Sequence, residues 1–299
     1  MIVPIHMRAE RFLLLIAAAA AQAIPAEPVN LLLQANAEYQ AHHPAEAILL
    51  YEQYLNQHKD RADVRVFLGG ALLNVSRMAE ALDQAQRALA LDANCWKAYT
   101  LAGRIYSSQR QWDQARKAYE AALRLNPLDR ETWYFSGRGY YEENRFEKAV
   151  QAFRRAIELG AASSRVYENL GLSYEALTLY QEAEEAYRRA IKLTDTEFHP
   201  YHAYGVFLNK QGRPAESIRM LKTAFGLNPA AVETRFELGK ALYQSGRLDE
   251  AATTIEGALA LSDQCRIRNL LARIYSMQRK TAEAEKQVKA LEACREQTN

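Results

Sequence analysis

Residues 96–127 read WKAYTLAGRIYSSQRQWDQARKAYEAALRLNP. The pattern of this stretch recurs along the chain, and a glycine every 34 residues marks each copy. These glycines are Gly69, Gly103, Gly137, Gly171, Gly205 and Gly239. A fixed period of this length indicates a stack of similar units rather than one irregular core.

Each unit contains two stretches with the spacing of an amphipathic helix. When the recurrent glycine is numbered as the eighth residue, bulky side chains fall at positions 4 and 11. A second set follows at positions 20, 24 and 27, where a larger residue stands between two small ones. In the unit that begins at Trp96 these residues are Tyr99, Gly103, Tyr106, Ala115, Tyr119 and Ala122. Both sets are spaced i, i+4 and i+7, so each unit is predicted to hold two helices.

The small residues at positions 8 and 20 predict a close crossing of two antiparallel helices. The large residues at positions 4, 11 and 24 are expected to fill the space above and below that crossing. A glycine inside a helix costs about 1 kcal/mol relative to alanine. Its recurrence in register therefore indicates a packing requirement.

This pattern resembles the tetratricopeptide repeat, a helix–turn–helix unit of 34 residues with small residues at positions 8, 20 and 27. The resemblance runs from Pro28 to about Ala293. It implies an all-α fold, an α-solenoid of about eight tetratricopeptide-like helix–turn–helix repeats that form a right-handed superhelix, with residues 24–299 as a single domain. The expected repeats are 28–61, 62–95, 96–129, 130–163, 164–197, 198–231, 232–264 and 265–298. The first and last depart from the pattern, with Ala35 and Ala272 in the glycine position.

The amino terminus has the three regions of a secretory signal peptide. Arg8 precedes the uncharged apolar run 12–21, and the small residues Ala21 and Ala23 follow. We therefore expect residues 1–23 to be a signal peptide and the protein to be exported, in a bacterial periplasm. The alternatives are an uncleaved anchor and an ordinary leading helix. No further membrane span is expected after cleavage.

Composition and motifs exclude several function classes. The chain is 49% hydrophobic and 25% charged, as in soluble folded proteins, and its formal charge of +2 is not that of a nucleic-acid binder. No phosphate-binding loop, nucleophile elbow or metalloprotease helix occurs. His199 and His202 are spaced i, i+3, but a structural zinc site needs four ligands. We expect no enzyme activity, no cofactor and no metal.

The resemblance implies that partners bind in a concave groove lined by positions 2, 5, 9 and 12 of the first helices. Two basic clusters with aromatic neighbours are expected there. The first contains Lys97, Arg104, Tyr134, Arg138 and Tyr141, and the second contains Phe236, Lys240, Tyr243 and Arg273. Arginine and aromatic residues are favoured at binding hot spots, and arginine pairs well with carboxylates. The hypothesis is an extended partner segment or chain end with acidic groups. The alternative is that the cations are solvated and paired with Glu131, Glu142 or Glu175.

The three cysteines allow one disulfide near the carboxyl terminus. Cys265 opens the first helix of the last unit and Cys294 closes its second helix. Because antiparallel helices bring these ends to the same side, a Cys265–Cys294 disulfide would close the last hairpin. The alternative is two separate thiols too far apart to bond. Cys95 is unpaired in either case.

The leading functional prediction is a non-enzymatic interaction scaffold that binds a protein or peptide segment. The second is an envelope assembly or export factor that contacts a glycan or another polymer. A continuous aromatic track along the groove would favour the second. An enzyme would require a buried cluster of titratable groups, which the sequence does not show.

Overall fold

The computed structural model describes residues 28–296, and the side chains of residues 30–294. The predicted signal peptide lies outside the described residues. Within them the chain forms sixteen α-helices and no strand, which confirms the all-α prediction. No helix of this described part is long and apolar enough to cross a membrane.

The helices alternate between the first and the second helix of successive repeats. The first helices are α1 (Pro28–Gln40), α3 (Ala62–Asn74), α5 (Trp96–Ser108), α7 (Arg130–Glu142), α9 (Ser164–Ala176), α11 (Phe198–Lys210), α13 (Val232–Gln244) and α15 (Cys265–Met277). The second helices are α2 (Pro44–Gln57), α4 (Met78–Leu91), α6 (Trp112–Leu125), α8 (Phe146–Glu158), α10 (Tyr180–Lys192), α12 (Pro214–Leu227), α14 (Leu248–Leu261) and α16 (Thr281–Glu296). From α3 to α15, every first helix begins at the first residue of a predicted repeat.

The helices group into two compact units, with the division between Leu125 and Asn126. The first unit contains the hairpins of α1–α6, and the second contains those of α7–α16. In each unit the two helices of a hairpin pack on each other, and the second helix packs on the first helix of the next hairpin. In the second unit, successive first helices also contact one another from α7 to α15. Their exposed sides therefore form one continuous surface, which we call the first-helix face.

The recurrent glycine makes room for the side chain at position 24. A Cβ atom added to Gly103 would lie 2.6 Å from the Tyr119 ring. The same addition at Gly171 would come within 2.8 Å of the Tyr187 ring, which is completely buried. The sequence prediction placed this large side chain above or below the crossing and a small residue opposite the glycine. The difference arises because the helices cross with the ring lying over the glycine itself.

One repeat fills this space in a different way. The repeat that begins at Ala62 has Ala85 at position 24, which is too small to cover Gly69. Leu101 of the following repeat takes its place, with Cδ2 2.5 Å from where a Cβ on Gly69 would be. A side chain from the next hairpin therefore replaces the missing one.

Each helix–helix turn contains a residue with left-handed backbone conformation, again once per repeat. The residues are His42, Ser76, Arg110, Asn144, Thr178, Gly212, Gly246 and Arg279. At Thr178 the amide donates to the Glu175 carbonyl and the next amide, of Leu179, donates to the Tyr174 carbonyl, both at 2.9 Å. These bonds satisfy carbonyls that the helix end leaves free. Only two of the eight positions hold glycine, the residue that favours this conformation.

The last hairpin carries the disulfide that joins Cys265 to Cys294. The two Cα atoms are 5.7 Å apart, within the usual range for such a bond. Cys265 is the first residue of α15, and Cys294 lies in the last turn of α16. Cys95 is a half-buried free thiol, and burial raises its pKa.

We predict that Gly171→Ala destabilises the protein, because the added methyl group would overlap the buried Tyr187 ring. Overpacking of this kind costs about 1–3 kcal/mol. The matched control is Gly226→Ala on α12, where no atom lies within 4 Å of the added Cβ. That change should stabilise the protein by up to about 1 kcal/mol, since alanine favours the helix. Thermal unfolding measures both, and equal effects of the two changes would contradict the packing role.

Candidate functional site

The first predicted basic cluster is divided between the two units. Lys97 and Arg104 lie on α5 in the first unit, whereas Arg138 lies on α7 in the second. Lys97 is exposed, and its Nζ lies 5.4 Å from the ring centroid of Trp96 and 5.9 Å from that of Phe67. The first unit therefore presents an ammonium group held against two aromatic rings.

On α7, Arg138 has a carboxylate partner. Its Nη2 lies 3.5 Å from Glu142 Oε1, one turn further along the same helix. Tyr134 is half-buried and packs against the rings of Phe135 and Phe153. Burial raises the pKa of Tyr134, and Arg138 opposes that shift. The ring is thus fixed in position, while the guanidinium is held by its own helix.

Tyr141 adjoins an ion pair that sequence reasoning missed. Lys210 Nζ donates to Glu175 Oε1 at 2.6 Å, and Tyr187 Oη donates to Glu175 Oε2 at 2.8 Å. Burial and the Glu175 carboxylate raise the pKa of Tyr141, and Lys210 opposes them. The sequence had offered Glu175 as a partner for an arginine of the groove. In the structure its partner is a lysine from the next first helix, 35 residues away.

In the second predicted cluster, Lys240 is also paired. Its Nζ lies 3.3 Å from Glu237 Oε2 on the same helix. Glu237 is buried and also accepts a 3.0 Å hydrogen bond from Asn209 Nδ2 on α11. A ligand that recruited Lys240 would have to compete with this buried carboxylate.

The remaining members of that cluster form two contacts between an arginine and an aromatic ring. The Arg273 guanidinium lies 5.3 Å from the Tyr243 ring centroid, and Arg273 is exposed. Phe236 is covered by Arg266, at 4.9 Å, and Arg266 also pairs with Glu233. Arg266 occupies position 2 of its repeat, the groove position of Lys97, but the sequence prediction did not include it.

Glu168 on α9 is a carboxylate that the sequence reasoning did not single out. It is half-buried and has no hydrogen bond or ion pair within residues 30–294. Burial raises its pKa to about 7, while Arg165 lowers it and Glu197 raises it further. It occupies position 5, between Tyr134 on α7 and His202 on α11.

His202 takes part in a hydrogen bond to a hydroxyl group. Its Nδ1 lies 3.1 Å from Thr234 Oγ1 on α13. Burial lowers the pKa of His202, so the ring is neutral near pH 7. The described part of the chain has no group of three or more side chains placed to hold a metal ion.

Aromatic residues occupy positions 5 and 12 on two of the five first helices that form the first-helix face. At positions 5 and 12, α7 carries two tyrosines, and α13 carries a phenylalanine and a tyrosine. The two helices between them carry polar residues at those positions, namely Glu168, Glu175, His202 and Asn209. Across the described second unit, the rings at these positions are therefore interrupted rather than continuous.

The sequence matches models of a known protein family. Models described as tetratricopeptide repeat match residues 32–94, 100–164, 136–198 and 208–274, which is well over half of the chain. The chain belongs to the tetratricopeptide repeat family. The first-helix face is therefore built from the first helices of tetratricopeptide repeats.

Solved structures with the same fold share little sequence with this chain. The crystal structure of the APC/C hetero-tetramer Cut9–Hcn1 matches with a TM-score of 0.67 at 15% identity, over 92% of this chain and 55% of that one. A tetratricopeptide repeat protein from Parabacteroides merdae matches with a TM-score of 0.59 at 16% identity, over 83% and 98% of the two chains. YrrB matches with a TM-score of 0.51 at 17% identity, over 61% and 94%.

These likenesses concern the fold. The chain spans about half the length of the Cut9–Hcn1 chain that it matches. No protein of curated function matches the sequence. The ligand must therefore be argued from the residues of the first-helix face.

We predict that Glu168→Gln changes how stability depends on pH. The folded-state pKa is raised from 4.5 to about 7, so the folded chain retains a proton that the unfolded chain releases. This contribution to stability is present below pH 4.5 and is lost as the pH rises to about 7. At about pH 8 the variant should therefore unfold at a higher temperature than the parent protein, and this advantage should disappear at about pH 4.5.

The reference for this comparison is Glu120→Gln, which removes one carboxylate at an exposed position on α6. Thermal unfolding of the three proteins across the pH range provides the measurement. If the parent and Glu168→Gln unfold with the same pH dependence, the raised pKa of Glu168 is refuted.

Proposed function

We propose that this protein is a non-enzymatic scaffold that holds an extended segment of a partner protein along its first helices. Family membership supports this, since tetratricopeptide repeat proteins are generally scaffolds without enzymatic activity. YrrB, which shares the fold, is described as a tetratricopeptide repeat protein with an unusual peptide-binding site. A peptide segment is therefore the ligand class that we assign to the first-helix face.

The observation that carries this proposal is the Arg273 guanidinium over the Tyr243 ring. Arg273 is exposed, and no carboxylate lies within ion-pair distance of it in the described part of the chain. Lys97 in the first unit has the same character, with two rings beside it. A carboxylate of a partner could pair with either cation without breaking an existing ion pair. We therefore assign acidic groups to the partner segment.

The predicted cations differ in what binding would cost them. Arg138 and Lys240 already contact Glu142 and Glu237. Replacing such a partner returns little net free energy, because one ion pair is exchanged for another. Arg273 would gain a carboxylate without losing an ion pair, since its partner is the Tyr243 hydroxyl at 3.5 Å. The acid-binding role therefore falls on Arg273 and Lys97 rather than on the paired cations.

A peptide is favoured over a glycan or another polymer by the arrangement of the rings. A repeating polymer would be held by aromatic contacts at regular intervals along the face. The second unit instead places Glu168 and Glu175 on α9, between its aromatic helices. Alternating aromatic and charged positions suit a segment with a defined order of side chains.

We also propose that the protein is exported, to an oxidising compartment such as a bacterial periplasm. The signal-like residues 1–23 support this, and so does the bond between Cys265 and Cys294. Disulfides persist in such compartments and are rare in the cytosol.

Protein purified from its native host should accordingly begin at Ile24 and contain one free thiol, that of Cys95. Amino-terminal sequencing and thiol counting before and after reduction provide the measurement. An amino terminus at Met1, or three free thiols, would contradict the export proposal.

Replacing both disulfide cysteines with serine should lower stability by about 2–4 kcal/mol, with the loss concentrated in α15 and α16.

The scaffold proposal predicts that charge reversal at Arg273, on the first-helix face, weakens partner binding. Arg273→Glu should lower the affinity for the main partner roughly tenfold, as expected for a hot-spot cation, in a pull-down from native extract followed by mass spectrometry. The matched control is Arg154→Glu, which makes the same charge change at an exposed position on the second helix α8. Lys97→Glu tests the cation of the first unit separately, with Lys117→Glu on α6 as its control. A partner retained equally by Arg273→Glu and Arg154→Glu would refute the assigned face.

A further inference from the structure

Glu168 is the one feature of the first-helix face that an acidic partner segment does not explain. Three other carboxylates of the second unit have partners. Glu175 accepts from Lys210 and Tyr187, and Glu237 accepts from Asn209. Glu197 accepts from Ser164 Oγ at 2.6 Å. Glu168 is half-buried without such a bond among the described residues.

The surroundings of Glu168 are contributed by four helical segments. Tyr134, with Arg138 beside it, approaches from α7, and Tyr187 approaches from α10. Arg165 lies one turn earlier on α9, and Glu197 directly precedes α11. One guanidinium and one carboxylate therefore act on Glu168, and their effects oppose each other. Desolvation is the largest influence on the carboxylate.

A cleft of about 520 Å³ is lined by Tyr134, which occupies the same repeat position on α7 as Glu168 does on α9. It shares Tyr134, Arg165 and Glu197 with the surroundings of Glu168, and Glu131 and Arg130 also line it. Arg130 donates to the carbonyl of Gly160 at 3.3 Å. The cleft thus combines an aromatic wall, two carboxylates, two guanidinium groups and space for a long side chain.

The chemistry of this cleft favours a cationic side chain. Burying a carboxylate without a partner is costly, and a charge-assisted hydrogen bond recovers much of that cost. The methylene groups of a lysine or arginine can pack on the Tyr134 ring while the charged end reaches a carboxylate. Arg130 and Arg165 also line the cleft, and Arg130 donates to the Gly160 carbonyl. An acidic side chain next to Glu131 and Glu197 would meet two carboxylates.

We propose that Glu168, Tyr134 and Glu197 form a subsite for one lysine or arginine side chain of the bound segment. This inference rests on the proposed scaffold function and adds a second charge to the partner. The segment places a basic residue against Glu168 on α9 and an acidic residue against Arg273 on α15. Two opposite charges at separate points fix the direction in which the segment lies along the first helices.

The subsite also couples binding to pH. A bound cation stabilises the ionised form of Glu168, so binding near neutral pH releases a proton. The affinity that depends on Glu168 is therefore largest above the pKa of about 7 and declines as the pH falls below it. The ionisable groups around Glu168 are Arg165 on its own helix, Tyr134 and Arg138 on α7, Tyr187 on α10, and Glu197 before α11.

The first experiment selects ligands from a random peptide library displayed on phage, with the immobilised full-length protein as the target. The parent protein should enrich peptides that share one lysine or arginine, and Glu168→Gln should not enrich that basic residue. Enrichment of peptides without a shared basic residue, or of the same basic residue on both targets, overturns the subsite. Failure of the parent to enrich any peptide over a blank surface overturns the scaffold function itself.

The second experiment is a double-mutant cycle on one enriched peptide by calorimetry. Replacing its basic residue with methionine should weaken binding to the parent about tenfold or more, and should weaken binding to Glu168→Gln severalfold less, since Tyr134 and Glu197 remain. On the parent protein, the difference in affinity between the basic peptide and its methionine version should shrink severalfold as the pH falls from about 8 to about 5.5. Zero coupling at about pH 8 overturns the subsite.

Two further variants separate the subsite from a general loss of structure. Tyr134→Leu removes the aromatic wall and should weaken binding of the basic peptide while leaving its methionine version unaffected. Glu120→Gln on α6 should leave both peptides unaffected. Equal losses for both peptides on Tyr134→Leu would indicate a structural defect and overturn the assigned role of the ring.

Discussion

The packing of one large side chain over one glycine underlies the whole repeat. Tyr119 over Gly103, Phe153 over Gly137 and Tyr187 over Gly171 set the distance between the two helices of a hairpin. The glycine carries no side chain at the contact, so the partner ring can lie directly on its backbone. The helix-propensity cost of the glycine is offset by the burial of a complete aromatic side chain.

This constraint determines which positions can carry function. Positions 8, 20, 24 and 27 are occupied by packing, and their alanines are buried in almost every repeat. Positions 5, 9 and 12 of the first helices lie on the other side of α7, α9, α11, α13 and α15 and are free to differ. Glu168, Lys240 and Tyr243 all occupy such positions, so the residues that differ between repeats are those available to a ligand.

The fold could be predicted from the sequence because its information is local and repeated. The spacing of the glycines placed the starts of α3, α5, α7, α9, α11 and α13 correctly. The backbone conformation of the turns was harder to predict, because Thr178, Arg110 and Arg279 adopt a left-handed conformation that their residue types disfavour. There the repeat geometry and the bonds to the preceding helix override the preference of the single residue.

The site could be predicted only in outline, because its energetics depend on contacts between repeats. The pairing of Arg138 with Glu142 follows helix spacing and is visible in sequence. The pairing of Lys210 with Glu175 joins residues 35 apart, and the burial of Glu168 depends on α7, α10 and α11 together. A count of charges along the groove therefore could not separate cations that are already paired from those that are available.

That separation determines how a scaffold of this kind can be specific. A side chain that keeps its own ion partner contributes solubility and little selectivity, since a ligand must replace what is already bound. Arg273 is held by a ring and Glu168 by its burial, and neither forms an ion pair among the described residues. Both are positioned before a ligand arrives, so little of the binding free energy is spent on ordering them. Selectivity then comes from the order of charges on the segment, because a segment bound in reverse would place like charges together at both points.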